Sequence, residues 1–223
     1  MKITMIIPIY NESRIIGRML DQLDALPGDW EIRFADGGSS DDTLAQIGGR
    51  YPVIPCPNGR ANQMNHAAKG ACDVIWFVHC DSILPTDAHA QISRAIESGA
   101  QWGCFHIGFD YDGPFMGCNT FFSNRRARQG IAFGDQGIWV RRDVFQKMGG
   151  FPSLPIMEDY DFSLRMGRAN IPITQLPGRI ITSGRRYRGR FPLLTMWQMF
   201  HLRCLYRRGV DINEIARRYR DIR

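Results

Sequence analysis

Over its first hundred residues the chain alternates two hydrophobic periods, and this alternation constrains the fold more than any other feature. Ile3–Pro8 is an unbroken apolar run stopped by proline. A run apolar at every position suits a strand buried on both faces. Ile15, Ile16, Met19, Leu20, Leu23 and Leu26 then recur at helical spacing, closed by Pro27-Gly28. Glu31–Ala35 reads as a second strand, and a turn over Asp36-Gly37-Gly38-Ser39-Ser40-Asp41 leads into a helix through Ile47. A short strand at Val53–Pro55, a helix from Gly59-Arg60 to Lys69, a strand at Val74–Val78 and a helix at Asp87–Glu97 continue the pattern. Repeated β-α units predict an α/β fold: a mixed, mostly parallel central sheet flanked by helices. Right-handed crossovers then bring the loops that follow the strands to one edge of the sheet, where such folds bind ligands.

The second half changes character. Trp102–Phe109 alternates and is expected as an antiparallel strand. Thr120–Arg128 reads as a helix, Gly137–Val140 as a strand, and Arg141–Met148 and Glu158–Arg168 as helices. Ile171–Gln175 and Arg179–Thr182 read as two short strands, and Leu193–Arg208 and Asp211–Arg220 as helices. A length of 223 residues fits one domain, with halves at 1–100 and 101–190 and terminal helices over 191–223. The apolar N-terminal run has no basic leader and no cleavage site, so it is read as a strand and not a signal peptide. No run of about 18 apolar residues is present to span a membrane.

Six cysteines form no CxxC pair, which points to reduced thiols in a cytoplasmic protein and away from a zinc site. The net charge is +6, and 25 of the 28 basic residues are arginine. Guanidinium forks bind phosphates in a bidentate manner, so an anionic partner is one reading and an arginine-rich surface the other. No recognition helix or aromatic RNA-binding strand motif accompanies the charge, which argues against nucleic acid. No GxGxxG follows the first strand, which excludes a dinucleotide oxidoreductase.

The acidic residues are the most informative. Asp36 follows the second strand, Asp81 the fourth, and Glu158, Asp159 and Asp161 open a late helix. Any one of them reads as a cap or turn residue, and for Asp41 that reading is preferred. Several carboxylates converging on one sheet edge are costly to bury without a ligand or partner.

At these positions the chain resembles glycosyltransferase family 2. Ile6-Ile7-Pro8-Ile9-Tyr10-Asn11-Glu12 and Asp36-Gly37-Gly38-Ser39-Ser40-Asp41 are similar to its opening signatures. Phe77-Val78-His79-Cys80-Asp81, Gly134-Asp135-Gln136 and Glu158-Asp159-Tyr160-Asp161 follow in the family's order and spacing. The segment 59–65 and Ser183-Gly184-Arg185-Arg186 look like a small bacterial subgroup without membrane helices. The resemblance implies a GT-A fold, in which residues 1–100 bind the nucleotide and 101–190 bind the acceptor and carry catalysis. It implies transfer of a sugar from a nucleotide-diphosphate donor to an acceptor hydroxyl, with inversion and a divalent metal, Mn2+ or Mg2+.

The site residues follow from the same resemblance. Pro8, Tyr10, Asn11 and Glu12 frame the nucleoside, and Asp36 accepts from the base ring. Arg60, Gln63, Asn65, His79, Arg185 and Arg186 contact the donor, with Arg188 a further candidate on the diphosphate. Asp81 is the metal ligand. The family usually shows Asp-x-Asp at that point; here the first acidic position is His79, which leaves open whether it meets metal, ribose or phosphate. Asp159 is the general base with Glu158 beside it, and Gly134, Asp135 and Gln136 lie near the acceptor, although Asp135 and Gln136 equally suit bracing of a strand. The acceptor is a saccharide or is lipid-linked. The apolar helix 193–208 reads as a core or homodimer helix, or as a peripheral contact with the inner face of a membrane. Two alternatives to glycosyl transfer are a sugar-1-phosphate nucleotidyltransferase and an inactive GT-A-fold binding protein.

Overall fold

The structure is a computed structural model that describes residues 1–113, 115–184, 187 and 192–219. The first half builds β1 (Ile3–Ile9), α1 (Ile16–Ala25), β2 (Trp30–Asp36), α2 (Thr43–Ile47), β3 (Val53–Pro55), α3 (Arg60–Ala67), β4 (Val74–Phe77) and α4 (Ala88–Glu97). The second half adds β5 (Trp102–Phe109), α5 (Met116–Arg128), a 3-10 turn at Gly134–Gln136, β6 (Trp139–Arg141) and α6 (Arg142–Lys147). It ends with α7 (Glu158–Arg168), β7 (Thr174–Thr182), α8 (Pro192–Arg207) and α9 (Ile212–Arg218).

Seven strands form one sheet in the order β3-β2-β1-β4-β6-β5-β7. Pairs β1/β2, β1/β4, β2/β3 and β5/β7 are parallel, and β6 runs antiparallel to both neighbours. This corrects the expected direction of Trp102–Phe109. The reversed strand is β6, which inserts between β4 and β5 and leaves β5 pointing the same way as the first four strands. The two short strands expected around Pro177-Gly178 are one strand, β7, whose register shifts opposite Phe105/His106. Proline lacks the N–H a regular ladder needs, and a bulge accommodates it.

β1 is buried on both faces, as its unbroken apolar run requires. Ile3, Met5, Ile7 and Ile9 pack with α1 and α4 on one side. Ile6 joins Ala61, Met64, Phe162 and Met166 on the other. Full burial of each large apolar side chain is worth about 1.5–3 kcal/mol, so the two layers fix the sheet's position firmly. A third cluster joins Met157 and Tyr160 at the start of α7 to Leu202 of α8 and Ile215 of α9. Among the described residues, no helix is long and apolar enough to cross a membrane.

Candidate functional site

Because β1, β2 and β4 are parallel neighbours, the segments after Ile9, Asp36 and Phe77 leave the sheet at the same edge. The loop after β1 is laced to the loop after β2. Asn11 sits in the left-handed region at φ 55, where asparagine is tolerated. Its amide donates to Ser39 Oγ at 3.0 Å and its Oδ1 accepts from Ser40 N at 2.8 Å. Glu12 N donates to Thr43 Oγ1, and Ser13 N to Asp41 Oδ2. Asp41 therefore serves the loop, as preferred from sequence, and the Thr43 hydroxyl leads the hydrogen bonds that hold its carboxyl well below the usual range.

Asp36 is buried, and its carboxylate accepts from the backbone amides of Gly38 and Ser39 at 3.1 and 3.0 Å. Beneath this turn the buried Gln63 amide of α3 donates to Ile9 O and Ala35 O at 2.8 and 2.7 Å, tying the ends of β1 and β2 together. A Cβ on Gly37 would stand 3.0 Å from that amide, so the backbone runs directly over it. Asn65 grips the backbone of Phe151 from both its amide nitrogen and its oxygen. The structure thus gives Gln63 and Asn65 supporting positions, tying β1, β2 and Phe151 to α3.

After β4, Cys80 is buried, and burial pushes its thiol far above the usual range; the negative fields of Glu12 and Asp81 act in the same direction. Both carboxylates therefore lie within electrostatic reach of Cys80. Arg18 of α1 donates to Asp81 O at 3.0 Å.

The other half of the site comes from the 3-10 turn and α7. Gly134 N donates to Asp159 Oδ2 at 2.7 Å, and Tyr160 N to Asp159 Oδ1 at 2.6 Å. A Cβ on Gly134 would stand 2.8 Å from His79 Nε2 and 3.5 Å from Asp159 Oδ2. The imidazole after β4 and the carboxylate of α7, 80 positions apart in sequence, therefore meet over one glycine. Glu158 is buried and pairs with Arg60 Nε at 3.1 Å. Burial outweighs this pairing, and with Asp159 beside it the Glu158 carboxyl lies above its ordinary 4.5. Arg60, expected on a diphosphate, is thus placed on Glu158.

Gln136 takes the bracing role. It is fully buried, accepts from Arg126 Nη2 and Phe133 N, and donates to Phe105 O. Sequence reasoning missed Arg126, whose guanidinium feels Asp135 and Asp159; its Arg-Arg-Ala-Arg context resembles an exposed helix face. Arg185, Arg186 and Arg188 lie outside the described residues. A hollow of about 380 Å3 bordered by Asp73, Arg141 and Asp143 lies at the opposite end of the sheet, away from these residues.

Among the described residues, no three His, Cys, Asp or Glu side chains are grouped to hold a metal by themselves. Asp81 still fits a hard cation that arrives with its substrate. Magnesium-like ions are commonly held by one or two carboxylates plus substrate phosphates.

Residues 4–149 match the family described as Glycosyl transferase family 2. No curated protein compared with the chain matches it in sequence. Among solved structures, the S. aureus TarS complex with UDP-GlcNAc matches with a TM-score of 0.65 and 18% identity, covering 83% of this chain and 59% of that one. The Pyrobaculum calidifontis mannosyltransferase PcManGT, in complex with GDP-Man and Mn2+, matches at 0.65 and 18%, covering 90% and 60%. Glucosyl-3-phosphoglycerate synthase from Mycobacterium tuberculosis, in complex with Mn2+, UDP and glucosyl-3-phosphoglycerate, matches at 0.56 and 18%, covering 94% and 81%. The chain spans about 60% of the length of the TarS fragment and of PcManGT. The likeness establishes a GT-A fold, and with the match over residues 4–149 the chain belongs to glycosyl transferase family 2.

Proposed function

We propose that this protein transfers a sugar from a nucleotide-diphosphate donor to an acceptor hydroxyl with inversion, and that Asp159 is its general base. The observation that carries the reading is the meeting of His79 and Asp159 over Gly134, beside the strand edge that holds Asp36, Glu12 and Asp81. The acceptor oxygen forms a bond to the anomeric carbon while the bond from that carbon to the diphosphate oxygen breaks. The electron pair leaves with the diphosphate, and the acceptor proton passes to the Asp159 carboxylate. Two backbone amides fix the orientation of that carboxylate, and a positioned base is typically worth about 10²–10⁴-fold. Asp81 would hold a divalent cation, Mn2+ or Mg2+, which supplies charge neutralisation for the departing diphosphate. Glu12 and the Asp36 turn would face the nucleoside. The likeness to folds solved with UDP-GlcNAc or GDP-Man supports this donor class.

The test is thermal unfolding with UDP or GDP, with Mn2+ and with chelator, followed by nucleotide-sugar turnover. Binding to the native state alone at a hundredfold excess over Kd stabilises by about 2.7 kcal/mol. A metal-dependent rise in Tm with turnover supports the reading, and no response to any nucleoside diphosphate overturns it.

A further inference from the structure

Next to Asp159 lies a cavity of about 280 Å3 whose wall includes Arg126 of α5, Ile131, Tyr160 of α7, and Phe200, Arg203 and Arg207 of α8. Three guanidiniums line it, and no carboxylate does. Among the described residues, none of the three has an ion-pair partner. Neutral groups hold them instead. Arg126 donates to Ile131 O and Gln136 Oε1 and lies 3.7 Å from the centroid of the Phe133 ring. Arg207 Nε donates to Tyr160 Oη at 2.6 Å. Arg203 stands 5.7 Å from the Phe133 ring and 5.6 Å from the Phe200 ring.

Gathering like charges in a partly desolvated wall is unfavourable. Burial holds the Arg126 guanidinium down to about 10 and lowers that of Arg203; Asp135, outside the cavity wall, partly offsets the shift of Arg126, and repulsion from Arg203 adds to it. An anion in the cavity would relieve that repulsion. A phosphoryl group brings about two negative charges and three acceptor oxygens. Three guanidiniums drawn from two helices match that set better than they match the two oxygens of a carboxylate. Tyr160 adjoins Asp159 in sequence, and Arg126 lies within reach of the Asp159 field. The cavity therefore borders the start of α7, where Asp159 lies.

We propose that this cavity is an acceptor subsite that seats a phosphoryl group, so that the acceptor is a phosphorylated molecule whose hydroxyl is delivered to Asp159. The proposal rests on the reading of Asp159 as the base. From Phe200 an apolar stripe continues along α8 through Trp197 and Leu193, which are 62% and 39% exposed and share a face at helical spacing. The phosphoryl group could therefore belong to a soluble acceptor or to a lipid headgroup.

The experiment titrates the full chain with inorganic phosphate by calorimetry at low salt, with the nucleotide site saturated by UDP or GDP and Mn2+. Saturable phosphate binding is expected, weakened at least tenfold in Arg203→Gln and retained in part in Arg203→Lys, with nucleotide binding unchanged. Gln129→Glu, at an exposed lining position, supplies a carboxylate to the arginines and is expected to abolish phosphate binding in a folded protein. This variant serves where Arg203→Gln does not fold. Phosphate binding that is absent in the wild type, unchanged in both Arg203→Gln and Gln129→Glu, or displaced by nucleotide overturns the subsite. Phosphate binding without any nucleotide binding would instead overturn the glycosyl-transfer reading and leave an anion site. Co-sedimentation with phosphatidylglycerol vesicles, released by phosphate, assigns the group to a lipid; phosphate binding without vesicle binding assigns it to a soluble acceptor. Both outcomes keep the subsite.

Discussion

Replacing Gly134 with alanine tests the geometry on which the site depends. The new methyl carbon would stand 2.8 Å from His79 Nε2, 3.2 Å from His79 Cε1 and 3.5 Å from Asp159 Oδ2. Non-bonded heavy atoms settle near 3.5–4.0 Å, so the imidazole must withdraw by roughly 0.7 Å or the turn must move as far. Gly134 is not in the left-handed region, so alanine meets no backbone penalty and the effect is steric. His79 lies between the buried Val78 and Cys80, which limits how its backbone can yield. Overpacking of this kind costs about 1–3 kcal/mol, at about 2–4 °C in Tm per kcal/mol for a chain of this size. The contact with Asp159 Oδ2 is an ordinary one, so the rate falls where the turn moves and carries that carboxylate with it; a shift of about 1 Å costs on the order of 10²-fold. The assay pairs thermal unfolding with nucleotide-sugar turnover. The control is Gly17→Ala in α1, where a Cβ meets nothing within 4 Å; it should gain about 0.5–1 kcal/mol and keep its rate. Adding His79→Ala to Gly134→Ala should restore much of the lost Tm, a coupling of about 0.5–3 kcal/mol. A fully active Gly134→Ala of unchanged Tm, or strict additivity in the double variant, would refute the convergence of His79 and Asp159.

Asp159→Asn should lower turnover by about 10²–10⁴-fold while nucleoside diphosphate still raises Tm; loss of nucleotide binding instead would assign Asp159 to the donor. The folded state holds the Glu158 proton more tightly than the unfolded chain, since burial raises that carboxyl above 4.5. Stability contributed by Glu158 therefore falls as pH rises from about 4.5 through the raised value. Glu158→Gln should remove that slope in urea unfolding at several pH values, and an identical pH profile would contradict it. Gln63→Leu should cost about 1–3 kcal/mol, because the carbonyls of Ile9 and Ala35 lose a buried donor. It should also weaken nucleotide binding by loosening the Asp36 turn, and wild-type affinity at reduced stability would separate the two effects.

What could be read from the chain, and what could not, divides by the range of the cause. Strand and helix types in the first half were legible because burial on both faces of β1 and β4 leaves unbroken apolar runs. The places of Asp36, Asp81 and Asp159 were legible because each follows or opens such an element. The direction of β5 was not legible, since it depends on β6, a strand more than 30 positions later, inserting between β4 and β5. The hydrogen bonds of Gln63 and Asn65 were hidden for a similar reason. Their partners include Ile9 and Phe151, distant in sequence, and an amide that ties down a backbone looks the same in a sequence as one that meets a sugar. Arg126 was hidden because α5 carries arginines at 125, 126 and 128, and only the fold turns Arg126 inward, under the Phe133 ring.

The histidine at position 79 also has a physical rationale. Its ring packs against Gly134 on the side where Asp159 Oδ2 accepts the Gly134 amide. A carboxylate at 79 would bring a second negative charge toward Asp159. Two unit charges 4 Å apart repel by about 1 kcal/mol in water and about 4 kcal/mol at the dielectric typical near a protein surface. That repulsion disfavours a pair of carboxylates at this point. An imidazole in the same place adds no negative charge. Asp81 lies two residues on, and its field and that of Glu12 both reach Cys80. The short segment after β4 thus sets an imidazole, and no carboxylate, against Gly134 and Asp159.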